Sequence, residues 1–171
     1  MIQVLNKKAV LAGLFAFCLS LPVLATGLVG KVVSVADGDT VTVLDADKLQ
    51  HKIRLSGIDA LERAQAFGKR SREYLASMVA GQQGGVAVET DKTDRFGRSV
   101  GKVLLQGRDI NLAMVASGMA WHYKKYQREQ SSSDRRLYAS AEQEAREQRA
   151  GLWRDPEPMA PWDWRAERRA R

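Results

Sequence analysis

LVGKVVSVADGDTVTVL (28–44) decides the fold. Its first nine residues (28–36) and TVTVL (40–44) are short β-branched runs, and Asp37-Gly38 between them is a hairpin turn signal. After Gly38 the side chains alternate, which places Asp39 on the same face as Val41 and Val43. An ionised carboxylate on an apolar face is costly unless a cation or several donors meet it. Two readings stay open at this point: Asp39 caps the strand in water, or it meets a cation.

Working outward, HKIRLSGI (51–58) is a third run, after the polar DADKLQ, and the three together read as a meander. A helix is expected from about Gln65 to Ala80 on the stripe Phe67, Tyr74, Leu75, Met78 and Val79, broken by GQQGG (81–85). GVAVET (85–90) and RSVGKVLL (98–105) read as two further strands around the loop DKTDRFG. Two helices follow, from Asp109 to about Ser117 and from about Ser133 to Ala150, the second opened by SSSD and closed by Gly151. Five short strands, with one helix after the third and two after the fifth, predict an α+β chain that is mainly β: a small barrel for which the OB-fold is the five-stranded pattern. The tail from Asp155 onward, with Pro156, Pro158 and Pro161, is expected to be irregular, with Trp162 and Trp164 docked on the domain.

The 171-residue chain opens with Lys7-Lys8 and an uncharged run, residues 9–25, ending in Val23-Leu24-Ala25. This is the order of a signal peptide: basic start, apolar middle, small-residue cleavage site. Residues 1–25 are therefore read as a signal peptide, 26–153 as one domain and 154–171 as a tail. The run is near the lower limit for crossing a bilayer and Pro22 interrupts it, so cleavage is expected rather than a stable membrane anchor. Export to the periplasm or the medium is the expectation. The one cysteine, Cys18, lies in the removed segment, so the mature domain has no disulfide and depends on its core. The 146 residues that remain carry 25 basic and 20 acidic side chains, a net charge of +5 that favours an anionic partner but does not identify one. A monomer is expected.

In KIRLSGID, Ile53, Leu55, Gly57 and Asp59 share a face, so a second apolar face ends in a carboxylate, and Glu62 follows three residues on. If the second strand starts beside the end of the third, Asp39 and Asp59 converge into an oxygen-ligand site for a hard cation, calcium before magnesium. A solvated acidic rim is the competing reading. Arg54 and Arg98 each offer a planar fork that matches a phosphate. Period-two parity sends Arg54 to the face opposite Asp59, so a bulge or sharp coiling near Gly57 is required to bring them together. His51 and His122 are too few and too separated for a zinc site.

DGDT (37–40), R-L-x-G-I-D-A-x-E (54–62), D-R-F-G-R (94–98) and G-M-A-W-x-Y (118–123), in this order and at these separations, resemble the staphylococcal nuclease (thermonuclease) family. The resemblance runs from about Leu28 to Trp153, and GLW (151–153) followed by P-W-x-W (161–164) looks like exported bacterial members. It implies an OB-fold barrel with three helices and a calcium-dependent endonuclease acting on DNA and RNA, with 3′-phosphate products. Carried over by motif, Asp39, Asp59 and the Ala60 carbonyl would hold Ca²⁺, Asp37 and Thr40 would lie in its outer surroundings, Glu62 would be the general base, and Arg54 and Arg98 would bind the phosphate. The chain departs from the family at Ala60-Leu61-Glu62, where proline usually precedes the glutamate; without proline's fixed φ the Glu62 loop is expected to be looser.

In WHYKKYQR (121–128) Tyr123 and Tyr126 are placed to stack on bases, while Lys124, Lys125 and Arg128 follow the backbone and Trp121 belongs to the core. A non-catalytic nucleic-acid-binding barrel is the rival reading. An exported lipid- or cell-wall-binding OB domain would explain the charge but not the run of acids and arginines.

Overall fold

A computed structural model describes residues 27–171; the signal-peptide reading falls outside them. Strand β1 (Leu28–Asp37) pairs antiparallel with β2 (Thr40–Leu44), and β2 pairs with β3 (Gln50–Leu55), Thr40 lying opposite Arg54. After a short β4 (Ile58–Ala60) and helix α1 (Gly68–Val79), β5 (Val86–Thr93) and β6 (Ser99–Leu105) form a second hairpin. β5 returns to β1, and β6 runs parallel to β3 with Ile53 opposite Ser99. These pairings close a ring of five strands, β1-β2-β3-β6-β5, the OB-fold barrel that the alternation predicted.

Closure removes the open edges of the sheet and turns one face of every strand inward. Val41, Val43, Ile53, Leu55, Val88 and Val103 fill the interior, each no more than 1% exposed. One end is plugged by Leu75 and Val79 of α1 and by α2 (Ile110–Ala116), whose first turn is capped by the Asp109 carboxylate accepting the Leu112 N–H at 2.9 Å. β7 (Arg108–Asp109) turns back to pair antiparallel with the end of β6, and β8 (Ala120–His122) pairs with β4 to form a separate two-stranded ribbon. α3 (Ser132–Glu147) lies against α2 and β8, and its Ala145 joins Leu61, Leu152 and Trp153 in a second apolar cluster.

Several features differ from expectation. The hairpin turn lies one residue later than the Asp37-Gly38 signal: Asp37 pairs with Thr40, so Gly38 and Asp39 form the turn. A Cβ on Gly38 would run into the Ser71 hydroxyl and the Ala60 methyl, so this close approach to α1 and β4 selects glycine. Second, 51–58 is not one strand: the chain turns at Ser56-Gly57, with Gly57 at φ 72°, and resumes as β4. The first helix starts at Gly68 rather than Gln65. Third, the tail is not irregular. Residues Pro161–Ala170 form a helix, α4, with Pro161 in its first turn, Asp163 near its N-terminus and Arg168 and Arg169 at its end, an arrangement that suits the helix dipole. Among the described residues no helix is long and apolar enough to cross a membrane.

Candidate active site

The β1–β2 turn, the end of β3 and β4 meet at one end of the barrel, where the backbone N–H of Leu55 donates to the Asp39 carbonyl at 2.8 Å. Asp39 and Asp59 are 5% and 1% exposed, which rules out the solvated rim. Asp39 Oδ2 accepts the Ala60 N–H at 2.7 Å, and Oδ1 accepts the Thr40 hydroxyl at 3.0 Å. The Asp39 N–H is in turn held by Asp37 Oδ1 at 3.1 Å, so Asp37 and Thr40 orient Asp39 rather than meeting the centre themselves.

Arg54 joins the two acids. Its Nη2 lies 3.1 Å from Asp39 Oδ2 and 3.0 Å from Asp59 Oδ1. The parity conflict is resolved at Gly57: the chain folds back there, and Arg54 Nη1 clamps the turn by donating to the Leu55 and Ile58 carbonyls at 2.8 and 3.0 Å. Burial still dominates at Asp39, pushing its carboxyl from the ordinary 3.8 up to about 7; Arg54 opposes this, while the neighbouring Asp37 and Asp59 charges add to it. The turn thus holds a carboxylate that a cation stronger than one shared arginine would ionise.

Glu62 follows Ala60 and Leu61 out of the ribbon, with its side chain about one third exposed. Leu61 is 3% exposed and packs in the second cluster with Ala145, Leu152 and Trp153. The expected looseness of this loop therefore meets a counterweight: where proline would restrict φ, a buried leucine anchors the segment by its side chain. Burial of such a side chain stabilises by roughly 1.5–3 kcal/mol. The Glu62 N–H also donates to Gln65 Oε1 at 3.2 Å.

Arg98 is not brought into contact with these acids. It stands just before β6, beside the strand that carries Arg54, but its Nε and Nη2 both reach Asp94 Oδ2 at 2.7 Å across the β5–β6 turn. Burial works against the Asp94 charge, but the Arg98 side chain together with the Arg98 and Phe96 N–H groups holds its carboxyl below the usual range. On the other side of the centre, the Tyr123 N–H donates to the Gly57 carbonyl at 2.9 Å, which ties the end of β8 to the turn clamped by Arg54. Burial and the Asp59 charge push the Tyr123 phenol up. Tyr126 meets Tyr123 edge to face at 5.0 Å and is exposed. Lys124 is tied to the buried Glu142 at 2.6 Å, and both line a cavity of about 370 Å³ beside Tyr123 and Lys125. Trp121 is partly buried against the second cluster, as its core assignment requires. His51 and His122 are engaged by Asp45 and Gln130.

One participant went unread in the sequence. Arg165 of α4 donates from Nη2 to Asp59 Oδ2 at 2.7 Å and from Nη1 to Glu62 Oε1 at 2.9 Å. RAERRAR (165–171) looks like a solvated charge run; the helix-start pattern of Pro161 followed by Asp163, with Trp162 and Arg165 three residues apart, was the available signal. With Glu62 drawn to Arg165, no group of three or more His, Cys, Asp or Glu side chains among the described residues is gathered to hold an ion.

Residues 52–155 match the family described as staphylococcal nuclease homologues. Protein ParB of Escherichia coli is 45% identical over 147 residues, covering 81% of this chain and 79% of that protein. An uncharacterized endonuclease of Escherichia coli O157:H7 is 40% identical over 153 residues, 89% of this chain and 94% of its own length. A micrococcal nuclease of Shigella flexneri is 41% identical over 145 residues, 80% and 79% of the two chains. The matched region begins in β3, takes in Asp59, Glu62, Arg98 and Tyr123 on a closed five-stranded barrel, and ends just before α4, so the chain belongs to the staphylococcal nuclease family.

Proposed function

We propose that the protein is a calcium-dependent endonuclease that hydrolyses phosphodiester bonds in DNA and RNA, exported and monomeric, leaving 3′-phosphate ends. The observation that carries the reading is the meeting of two buried carboxylates, Asp39 and Asp59, on one guanidinium, with Glu62 three residues beyond. The donor chemistry fits the ion: hard carboxylate oxygens of Asp39 and Asp59 at one point, next to the Ala60 backbone whose N–H meets Asp39, suit calcium's flexible oxygen coordination better than the strict octahedron of magnesium. When bound there, calcium would neutralise the phosphate and polarise it toward attack.

The chain's own residues supply the rest. Glu62 takes the proton of the attacking water; its Oε1 is held by Arg165, and among the described residues no hydrogen bond falls on Oε2, which leaves that oxygen for the water. Arg54, already oriented by the carbonyls of Leu55 and Ile58, offers charge to a phosphate oxygen, and Arg98 does so after leaving Asp94. Tyr123, with Tyr126 at its edge, stacks on a base while Lys124 and Lys125 meet the backbone. Digestion of single-stranded DNA by the purified mature protein, with calcium and then with a chelator, tests the reading. Calcium-dependent cleavage is expected; undiminished cleavage in excess chelator refutes it.

A further inference from the structure

We propose that α4 is a working part of the active site and that Arg165 is a positioning residue that sets Glu62 and Asp59 relative to one another. The proposal rests on the nuclease reading above. It starts from how firmly α4 is seated. Ala160 and Pro161 are buried, and the Met159 carbonyl just before them accepts Gln65 Nε2 at 2.6 Å from the Glu62 loop. Trp162 stacks on Tyr123 with 5.4 Å between ring centres and 12° between planes, and meets Trp121 edge to face at 5.4 Å. The helix is thus pinned to both walls of the cleft, the loop after β4 and the end of β8.

Arg165 lies three residues after Trp162, on the same helix face. Both terminal nitrogens are engaged: Nη2 donates to Asp59 Oδ2 at 2.7 Å, and Nη1 to Asp59 Oδ1 at 3.3 Å and to Glu62 Oε1 at 2.9 Å. Bridging two separate carboxylates with one planar group fixes their relative orientation, which the point charge of a lysine cannot do. It also screens the repulsion between the acid assigned to the metal and the acid assigned to the proton. Leu61 anchors the backbone of this segment, but Glu62 projects beyond the anchor with its end partly exposed, and Arg165 holds that end. A base whose atoms drift by 1 Å can lose about 10²-fold in rate.

The test uses Arg165→Ala in the full mature chain, with Arg169→Ala, exposed on the same helix, as control. Wild-type cleavage is measured first; if there is none, the nuclease reading fails and not this one. With an active wild type, Arg165→Ala is expected to lower kcat by about 10- to 10²-fold while changing KM for single-stranded DNA far less. Guanidinium ion added to the buffer should restore part of the rate without changing the melting temperature. Calcium affinity, read by calorimetry in the absence of substrate, should be unchanged or tighter, because a competing cation has left Asp59. A wild-type rate overturns the proposal, and so does a faster one, which would make α4 a plug over the site. A loss of kcat matched by an equal loss of calcium affinity, or one that guanidinium does not rescue, also overturns it by reducing Arg165 to a structural contact.

Discussion

Replacing Glu62 by glutamine separates chemistry from folding more cleanly than any other single change at this site. Glutamine keeps the length of the side chain and still accepts a hydrogen bond from Arg165, but it cannot take a proton. Removal of a positioned general base lowers a rate by about 10²–10⁴-fold, or roughly 2.7–5.4 kcal/mol of barrier. The folding side of the balance is small. The ion pair that is weakened joins two side chains about one third exposed, Arg165 and Glu62 at 2.9 Å, and such pairs contribute about 0–1 kcal/mol after solvent screening. Arg165 also keeps Asp59. The expected outcome is a melting temperature within a few degrees of wild type, unchanged calcium binding, and a kcat reduced by at least about 10²-fold in single-turnover cleavage of single-stranded DNA. Wild-type cleavage by Glu62→Gln would remove the general base from the mechanism, leaving only the metal and the arginines.

Arg98→Ala should lower kcat more than it raises KM, whereas Tyr123→Ala should weaken substrate binding with a smaller effect on the rate of the bound complex; steady-state kinetics in which both changes move only KM would refute this division of roles. Leu61→Ala should destabilise by about 2–5 kcal/mol in denaturant titration, because it opens a hole in the Leu152–Trp153 cluster, and Leu61→Pro should also destabilise rather than simply stiffen the Glu62 loop. Because burial pushes the Asp39 carboxyl up to about 7, calcium must expel its proton at lower pH; calcium affinity should therefore fall by up to about tenfold per pH unit below 7, and calorimetric titrations giving one affinity from pH 5 to 8 would contradict it.

The barrel was legible because its signal is local: alternating Val and Ile in 28–55 and 86–105 marks short half-buried strands, and a closed sheet with those residues inside satisfies it. The acids were legible only as candidates, since Asp39 and Asp59 each share an apolar face, a pattern that also fits a solvated rim; their burial decides between the two. What went unread depends on distant partners. The offset of the hairpin turn follows from the contact of Gly38 with Ser71 and Ala60, residues on two other elements. The anchoring of Leu61 depends on Ala145, Leu152 and Trp153, more than eighty residues away. α4 looked irregular because three prolines precede or open it, yet Pro161 at the first turn starts the helix, and Trp162 and Arg165 gain their meaning from Tyr123, Asp59 and Glu62.

The same separation explains why the site stands where it does. Asp39 and Asp59 are unfavourable residents of an apolar barrel end, and nothing in the core requires them; with one arginine shared between them, Asp39 still holds its proton up to about pH 7. For a buried carboxyl raised in this way, stability is fully present below the ordinary carboxylate pKa and is lost as pH rises through about 7, so at neutral pH and above the fold is weakened by Asp39 itself. A cation that binds only the folded, ionised form reverses the sign, adding stability in the range where Asp39 would otherwise withdraw it. The strain is tolerated because it is confined to one end of the molecule. The apolar residues packed from Val41 to Val103, and the cluster of Leu61, Ala145, Leu152 and Trp153, support the turn and the segment after β4. The divalent-ion affinity proposed for this site would thus come from the burial of charge at a point that the surrounding elements hold in place.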